Sequence, residues 1–293
     1  MGSPKTILIT GAAGFLGRAL CQFFLARGFS VRALVRSPEN HPISQPGIQV
    51  FKGSLPDEID PKAFEGTQTV VHCAYTTKLT DRKLAYRVNH VGTMKVYELS
   101  KKAGVDQFVF ISSTGAHEKA ESYYGKSKFA LEQQMDFSRD LVIRPGLILG
   151  PGELGSFNRM KNTIRQSGVV PIFGGGHQIL QVIEINDLCK AIENALEKRL
   201  TGLLVVADPD GIEMKEFFKK LAQRLKTRCS LIPFPMGATL FLLQIFEKLG
   251  IRLPLSSENL LGLKTMKHMP SQHDLAKIGI EVKNVEQAID ASI

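Results

Sequence analysis

The chain has 293 residues, 43% of them hydrophobic and 22% charged; that balance allows one large domain or two unequal ones and excludes a disordered or low-complexity chain. The formal net charge is +9, but Lys and Arg are spread along the sequence with no block of five or more, so the charge reads as a basic, soluble surface rather than a nucleic-acid-binding tract. Cys21, Cys73, Cys189 and Cys229 form no CxxC pair and no metal-ligand spacing, which argues against a zinc site or disulfide framework and reads as reduced thiols in a cytoplasmic protein.

At the start, Met1–Thr6 formally matches a myristoylation pattern. Lys5 is followed at once by a strand-like run and then glycines, so a plain start without a signal peptide is expected. Thr6–Thr10 is that first strand. Phe15–Arg27 has helical spacing, with Leu16, Ala19, Leu20, Phe23 and Phe24 on one side. Ser30–Val35, Gln49–Phe51, Thr69–Cys73, Gln107–Ile111 and Leu141–Ile143 read as further strands, and Lys83–Ala103 and Tyr124–Phe137 as helices. This alternation predicts an α/β fold, a doubly wound parallel sheet of Rossmann type covered on both faces. After Pro145 the glycines and prolines multiply. Gln181–Ile185 and Leu203–Ala207 read as strands, with Asp187 capping a helix through Glu197; the rest is mainly helical, interrupted by Pro233, Pro235, Pro254 and Pro270. Two regions are expected: a dinucleotide-binding domain over 1–150 completed by about 179–207, and a smaller substrate region over 151–178 and 208–293. Gly237–Leu249 is notably apolar but shorter than the roughly 20 residues a membrane span needs. A buried lid helix is expected there, with a lipid-facing interfacial helix as the alternative.

Thr10-Gly11-Ala12-Ala13-Gly14-Phe15-Leu16-Gly17 lies between the first strand and the first helix. There a diphosphate meets free N–H groups at a helix N-terminus. Gly11 allows the tight turn, Gly14 lets backbone approach the phosphates, and Gly17 lets the helix pack closely on the sheet. An acidic residue at the end of the second strand would hold the ribose 2′-hydroxyl of NAD; Val31-Arg32-Ala33-Leu34-Val35-Arg36-Ser37 has none before Glu39. Arg36, helped by Arg32 or Arg18, instead suits a 2′-phosphate. NADP(H) is therefore preferred, with NAD(H) as the alternative. Downstream, Tyr124 and Lys128 are four apart and share a helix face. A neighbouring ammonium lowers the pKa of a tyrosine that is otherwise a poor acid–base catalyst at neutral pH. The strand Phe108–Ile111 ends in Ser112-Ser113-Thr114, hydroxyls suited to a substrate oxygen.

Taken together, the chain resembles the extended (or atypical-extended) short-chain dehydrogenase/reductase superfamily, in its NAD-dependent epimerase/dehydratase group. The resemblance runs through Thr10–Gly17, Val70-Val71-His72-Cys73-Ala74, Val88-Asn89-His90-Val91-Gly92-Thr93, Tyr124–Lys128, Arg144–Gly152 and Ile185-Asn186-Asp187-Leu188. It implies Tyr124 as general acid/base and Lys128 as its pKa-lowering partner. Ser113, with Ser112 as fallback, would orient the reacting group, and Asn89 would hold a helix bend and a water chain. It implies a cofactor surface of Gly11, Ala13, Gly14, Phe15, Leu16, Gly17, Arg36, Ser54, Leu55, Cys73, Ala74, Tyr75, Tyr124, Lys128, Pro145, Leu147 and Ile148. Many relatives pair into homodimers through the two helices expected at 83–103 and 124–137. Three departures matter. Ser54 stands where an adenine-contacting Asp is common, and Glu184 where a His is common. Only ten residues separate Ser113 from Tyr124, without the Val-Tyr-Gly of sugar-nucleotide epimerases or the acidic residues of sugar dehydratases.

The leading expectation is an NADP(H)-dependent oxidoreductase acting on a carbonyl/alcohol pair of a fairly apolar small molecule. Thr76, His117, Tyr123, Phe157 and Met160 are candidate substrate residues, alongside Tyr75 and Ile148. An epimerase or dehydratase with tightly held NAD is the alternative, and a non-catalytic dinucleotide sensor or scaffold the reading from another class. His72 reads as a hydrogen-bonded core histidine. No metal, no nucleic-acid partner and only marginal membrane contact through 237–249 are expected.

Overall fold

The computed structural model describes residues 5–39, 41, 43, 45–77, 81–251, 253 and 255–293. Residues 1–4 of the myristoylation pattern and Pro254 lie outside the described residues. In chain order the first half runs β1 (Thr6–Thr10), α1 (Phe15–Ala26), β2 (Ser30–Val35), β3 (Ile48–Ser54), β4 (Glu58–Ile59), β5 (Thr69–His72), α2 (Arg82–Tyr86), α3 (Gly92–Lys102), β6 (Gln107–Ile111), α4 (Tyr123–Glu132) and β7 (Leu141–Pro145). There follow β8 (Leu147–Leu149), α5 (Ser156–Ser167), β9 (Val169–Phe173), β10 (Ile179–Leu180), β11 (Val182–Glu184), α6 (Ile185–Glu197), β12 (Gly202–Val206), β13 (Ile212–Glu213), α7 (Met214–Arg224), β14 (Ser230–Phe234), α8 (Met236–Lys248), α9 (Ser257–Lys264), α10 (Gln272–Ile278) and α11 (Val285–Asp290). The fold is a Rossmann-like, mostly parallel sheet with flanking helices.

The chain divides into two compact units. The first comprises 1–112, 130–143 and 192–204. It holds most of an eight-stranded sheet in the order β12-β7-β6-β5-β1-β2-β3-β4, whose pairs from β3 through β7 are parallel. Its central strands are near-continuous apolar runs, as a sheet covered on both faces requires; Ile7, Leu8, Ile9, Val70, Val71, Val109 and Phe110 are fully buried. The order steps outward from β1 to β2 on one side and to β5 on the other, so the loop after β1 opens at the switch point where such sheets bind ligands. The single helix expected over 83–103 is α2 and α3 joined by a π-turn at Arg87–Val91; single π-turns mark functional positions more often than regular helix does.

The second unit comprises 113–129, 144–191 and 205–293. β8 pairs with β11, and β9 with β14, both in parallel. Its core gathers Leu149, Phe157, Ile164, Val170, Ile172, Val182, Phe217 and Leu221. Three expectations are corrected here. Helix α6 begins at Ile185 rather than at an Asp187 cap: Glu184 accepts from the Asp187 backbone N–H and from Asn186 Nδ2, while Asp187 accepts from Lys283. Helix α8 is not buried all round; Leu243 is buried, whereas Phe241, Leu242 and Ile245 are exposed. Helix α4 also stops at Glu132, short of the expected Phe137.

Candidate active site

At Gly11 and Gly17 the glycine loop of the first unit is built so closely that only glycine fits. Gly11 has φ +63°, and a Cβ there would lie 2.8 Å from the backbone of Ala74. A Cβ on Gly17 would stand 2.3 Å from Gly11 O and 2.7 Å from Ala12 Cα. These contacts draw the loop onto Cys73 and Ala74 at the end of β5 and onto the first turn of α1. Gly14 is the N-cap of α1, with no side-chain cap and no acidic residue in the first turn. The first-turn N–H groups therefore keep their capacity for an anion. A cradle that any Cβ would fill, ending on an uncapped helix start, fits a dinucleotide diphosphate.

Behind the cradle runs a buried hydrogen-bond chain. The Ala74 N–H donates to Thr10 Oγ1 (3.3 Å), which lies 2.8 Å from His72 Nδ1. His72 Nε2 lies 2.9 Å from Thr93 Oγ1, and Thr93 donates to Asn89 O at 2.5 Å. Because Thr93 gives its only hydroxyl hydrogen to Asn89, it must accept from His72 Nε2–H. A neutral His72 then accepts from Thr10 at Nδ1, and every hydrogen in the chain has a place. Asn89 sits in the π-turn, fully buried, and clamps Thr76 from both sides: Oδ1 accepts from Thr76 N (2.8 Å) and Nδ2 donates to Thr76 O (2.9 Å). His72 is thus the core histidine its sequence position implied. Thr10 and Thr93 were missed, since a threonine in a buried strand or helix carries no signal of its own.

The three arginines separate. Arg36 is exposed just beyond β2. Arg32 is committed elsewhere: its guanidinium donates to the carbonyls of Ala63 and Glu65 and to Thr67 Oγ1. Arg18 donates Nε–H to Ala13 O (2.9 Å), bracing the loop. Ser54 closes β3 opposite Glu58, and Leu55 fills the space that Gly92 leaves beside it.

In the second unit Ser113 and Tyr124 come together. Tyr124 and Lys128 lie one turn apart on α4; Lys128 is buried. Burial pushes the Tyr124 phenol above its ordinary value, and a hydrogen bond from Ser113 pulls the other way. Three residues outside the expected set fix this geometry. Ser122 Oγ accepts from Gly125 N, and Glu258 accepts from Tyr123 N (2.6 Å), which anchors the start of α4. A Cβ on Gly125 would lie 2.5 Å from Gly115 O, so that glycine lets the helix lie against the loop after Ser113. In the first unit Ser112 donates to the buried Glu132, so of the two serines it is Ser113 that keeps its hydroxyl for Tyr124.

The Thr114 N–H donates to Pro145 O (3.1 Å), placing Pro145 beside the Ser113 segment. Leu147 and Ile148 lie in β8, and Leu147 packs on the core of the unit. Phe157 is fully buried in that core and offers a substrate no surface; Met160 packs against the same cluster. His117 is buried, with Nε2 2.9 Å from Thr265 O, and burial lowers its pKa. Cys21 and Cys189 are buried, and burial pushes each thiol up to about 12. Among the described residues no group of His, Cys, Asp and Glu could hold a metal ion.

With this geometry in place, the model of the NAD dependent epimerase/dehydratase family matches residues 7–206. The chain belongs to that family. It is an NAD(P)-dependent enzyme. Its relatives include a UDP-glucose 4-epimerase of Vibrio cholerae, 27% identical over 85% of this chain and 84% of the relative. A ceramide reductase of Caulobacter vibrioides is 29% identical over 78% of this chain and 73% of the relative. The crystal structure of human epimerase family protein SDR39U1 with NADPH shares the fold, with a TM-score of 0.74 at 20% identity, covering 98% of each chain.

Proposed function

We propose that this enzyme is an NADP(H)-dependent oxidoreductase that interconverts a carbonyl and an alcohol on a fairly apolar substrate carrying no nucleotide. The observation that carries the reading is the hydrogen bond between Ser113 and Tyr124 with Lys128 buried one turn away. The glycine cradle would hold the diphosphate, Arg36 the 2′-phosphate, and Cys73 and Ala74 would lie against the rest of the dinucleotide. A bound nicotinamide supplies the hydride acceptor or donor. In reduction, Tyr124 gives its phenolic proton to the carbonyl oxygen while Ser113 hydrogen-bonds that oxygen. The phenolate left on Tyr124 is stabilised by the Lys128 ammonium, which opposes the effect of burial. Asn89 holds the π-turn and Thr76 in place. The likeness to a ceramide reductase supports a lipid-like alcohol or ketone, as does the short path from Ser113 to Tyr124. The outward Leu84, Tyr86 and Val91 on the helix around 82–102 support a homodimer through it.

A second reading, an epimerase with tightly held NAD, is favoured by the Vibrio cholerae relative. The test is Tyr124→Phe: turnover of NADPH with long-chain ketones is expected to fall at least about 100-fold with cofactor affinity nearly unchanged. Undiminished turnover would remove Tyr124 from the mechanism. Cofactor that co-purifies and never turns over would favour the epimerase.

A further inference from the structure

Among the described residues, eight of the fifteen exposed large hydrophobic side chains fall within 232–253: Ile232, Phe234, Phe241, Leu242, Ile245, Leu249, Ile251 and Leu253. A single surface leucine needs no explanation; a contiguous cluster on one segment does. Its continuity follows from the packing. On the β9–β14 ribbon, Val169 and Pro171 are exposed opposite Ser230 and Ile232, and the Phe234 ring lies 6.1 Å from Phe173. Phe173 in turn packs with Leu243, Met236 and Leu240 of α8. That contact uses up one face of α8. The opposite stripe, with Phe241 64% exposed, Leu242 50% and Leu249 68%, recurs at 241, 242, 245 and 249 and points to solvent. The helix is therefore apolar on two faces, with only one of them packed.

Charge says what covers the other. Between Lys226 and Ser257 there is one carboxylate, Glu247, against four basic residues. Glu247 is exposed but engaged by α9, accepting from Ser257 N and Oγ at 2.7 and 2.6 Å. Lys248 flanks the stripe. Lys226 and Arg228 precede β14, and Arg165 stands in the last turn of α5, just before β9; all four are exposed. A second copy of this chain would set the same basic rim against itself, on molecules of formal charge +9. An anionic surface complements it. Among the described residues no helix is long and apolar enough to cross a membrane, and the 13 residues of α8 span only about 20 Å, so the helix would lie in the surface.

We infer that α8, with the outer face of the β9–β14 ribbon, is an interfacial docking surface for an anionic lipid bilayer. Phe241, Leu242, Ile245 and Leu249 enter the acyl boundary, and Lys248, Arg228 and Lys226 meet the headgroups. This surface does not depend on the reaction proposed above. The test is co-sedimentation of the whole chain, without substrate, with vesicles of phosphatidylcholine alone or containing 30% phosphatidylserine. Partitioning at least tenfold stronger onto the anionic vesicles is expected. Phe241→Ser with Leu249→Ser is expected to lower that partition at least tenfold, with the melting temperature and NADPH affinity kept. Tyr124→Phe is expected to leave it unchanged whatever it does to turnover. Three results overturn the inference: no partitioning of the wild-type chain, equal partitioning of the double variant, or a double variant that turns a dimer into a monomer in the absence of vesicles.

Discussion

The cradle reading makes its sharpest demand at Gly14. Gly14 has φ −79° and ψ 176°, a conformation open to any residue. A Cβ there would meet only Gly11 O, at 3.1 Å, with nothing else within 4 Å. Gly14→Ala therefore costs the fold little. Losing chain entropy in the unfolded state favours Ala by about 0.4–1 kcal/mol. The weaker N-cap and the tight contact with Gly11 O offset that by about 0.5–1 kcal/mol. The melting temperature should stay within about 3 °C. Binding is another matter, because the methyl group stands at the uncapped start of α1, where a diphosphate has to approach. Losing one or two charge-assisted hydrogen bonds, at about 1.5–3 kcal/mol each, raises the Kd at least about tenfold and up to several-hundred-fold. Titration calorimetry with NADPH and NADH, beside a thermal melt, reads both quantities. Affinity for both cofactors within threefold of wild type, at an unchanged melting temperature, would show that no diphosphate rests on this loop.

Four further outcomes can be checked. Arg36→Ala should raise the Kd for NADPH about tenfold or more while NADH changes less than threefold; equal weakening would refute the 2′-phosphate role. On the proposed mechanism the base in the oxidative direction is the Tyr124 phenolate, so kcat should rise with pH, and Lys128→Met should move that rise to higher pH by removing the charge that favours the phenolate; a profile unmoved by Lys128→Met refutes the pairing. Thr93→Val removes the Thr93 hydroxyl that His72 Nε2 meets in a fully buried place. It should destabilise by about 1–3 kcal/mol in urea unfolding, with Thr93→Ser close to wild type. Lys283→Ala strands the buried Glu184 and the largely buried Asp187, which it meets at 3.2 and 2.7 Å. Because Lys283 itself is 37% exposed, the loss should be about 1–2 kcal/mol, below that of a fully buried pair.

What could be read from the sequence, and what could not, divides along physical lines. β1, β2, β6 and α1 were legible because the strands are apolar runs, broken in β2 only by Arg32, and α1 repeats its apolar residues at helical spacing. β9 and β14 were not, since Pro171 and Pro233 sit inside them; proline is tolerated there because each strand has a single partner. Local pattern also cannot say which of two like residues a distant element engages. Arg32 and Arg36 look alike in sequence until the carbonyls at 63 and 65 take up Arg32. Ser112 and Ser113 look alike until Glu132, twenty residues on, takes up Ser112. In both pairs the residue proposed for chemistry is the one no distant element takes up.

The same test separates the apolar residues. Phe157 and Phe241 both looked like lining of a site or a lid. Phe157 is consumed by the core, whereas Phe241 is left 64% exposed on a helix whose inner face is already satisfied. Hydrophobicity alone does not distinguish them, because burial is decided by the partner surface and not by the side chain. The outer face of α8 is therefore the apolar counterpart of Arg36: a group that no neighbouring element of the described fold takes up.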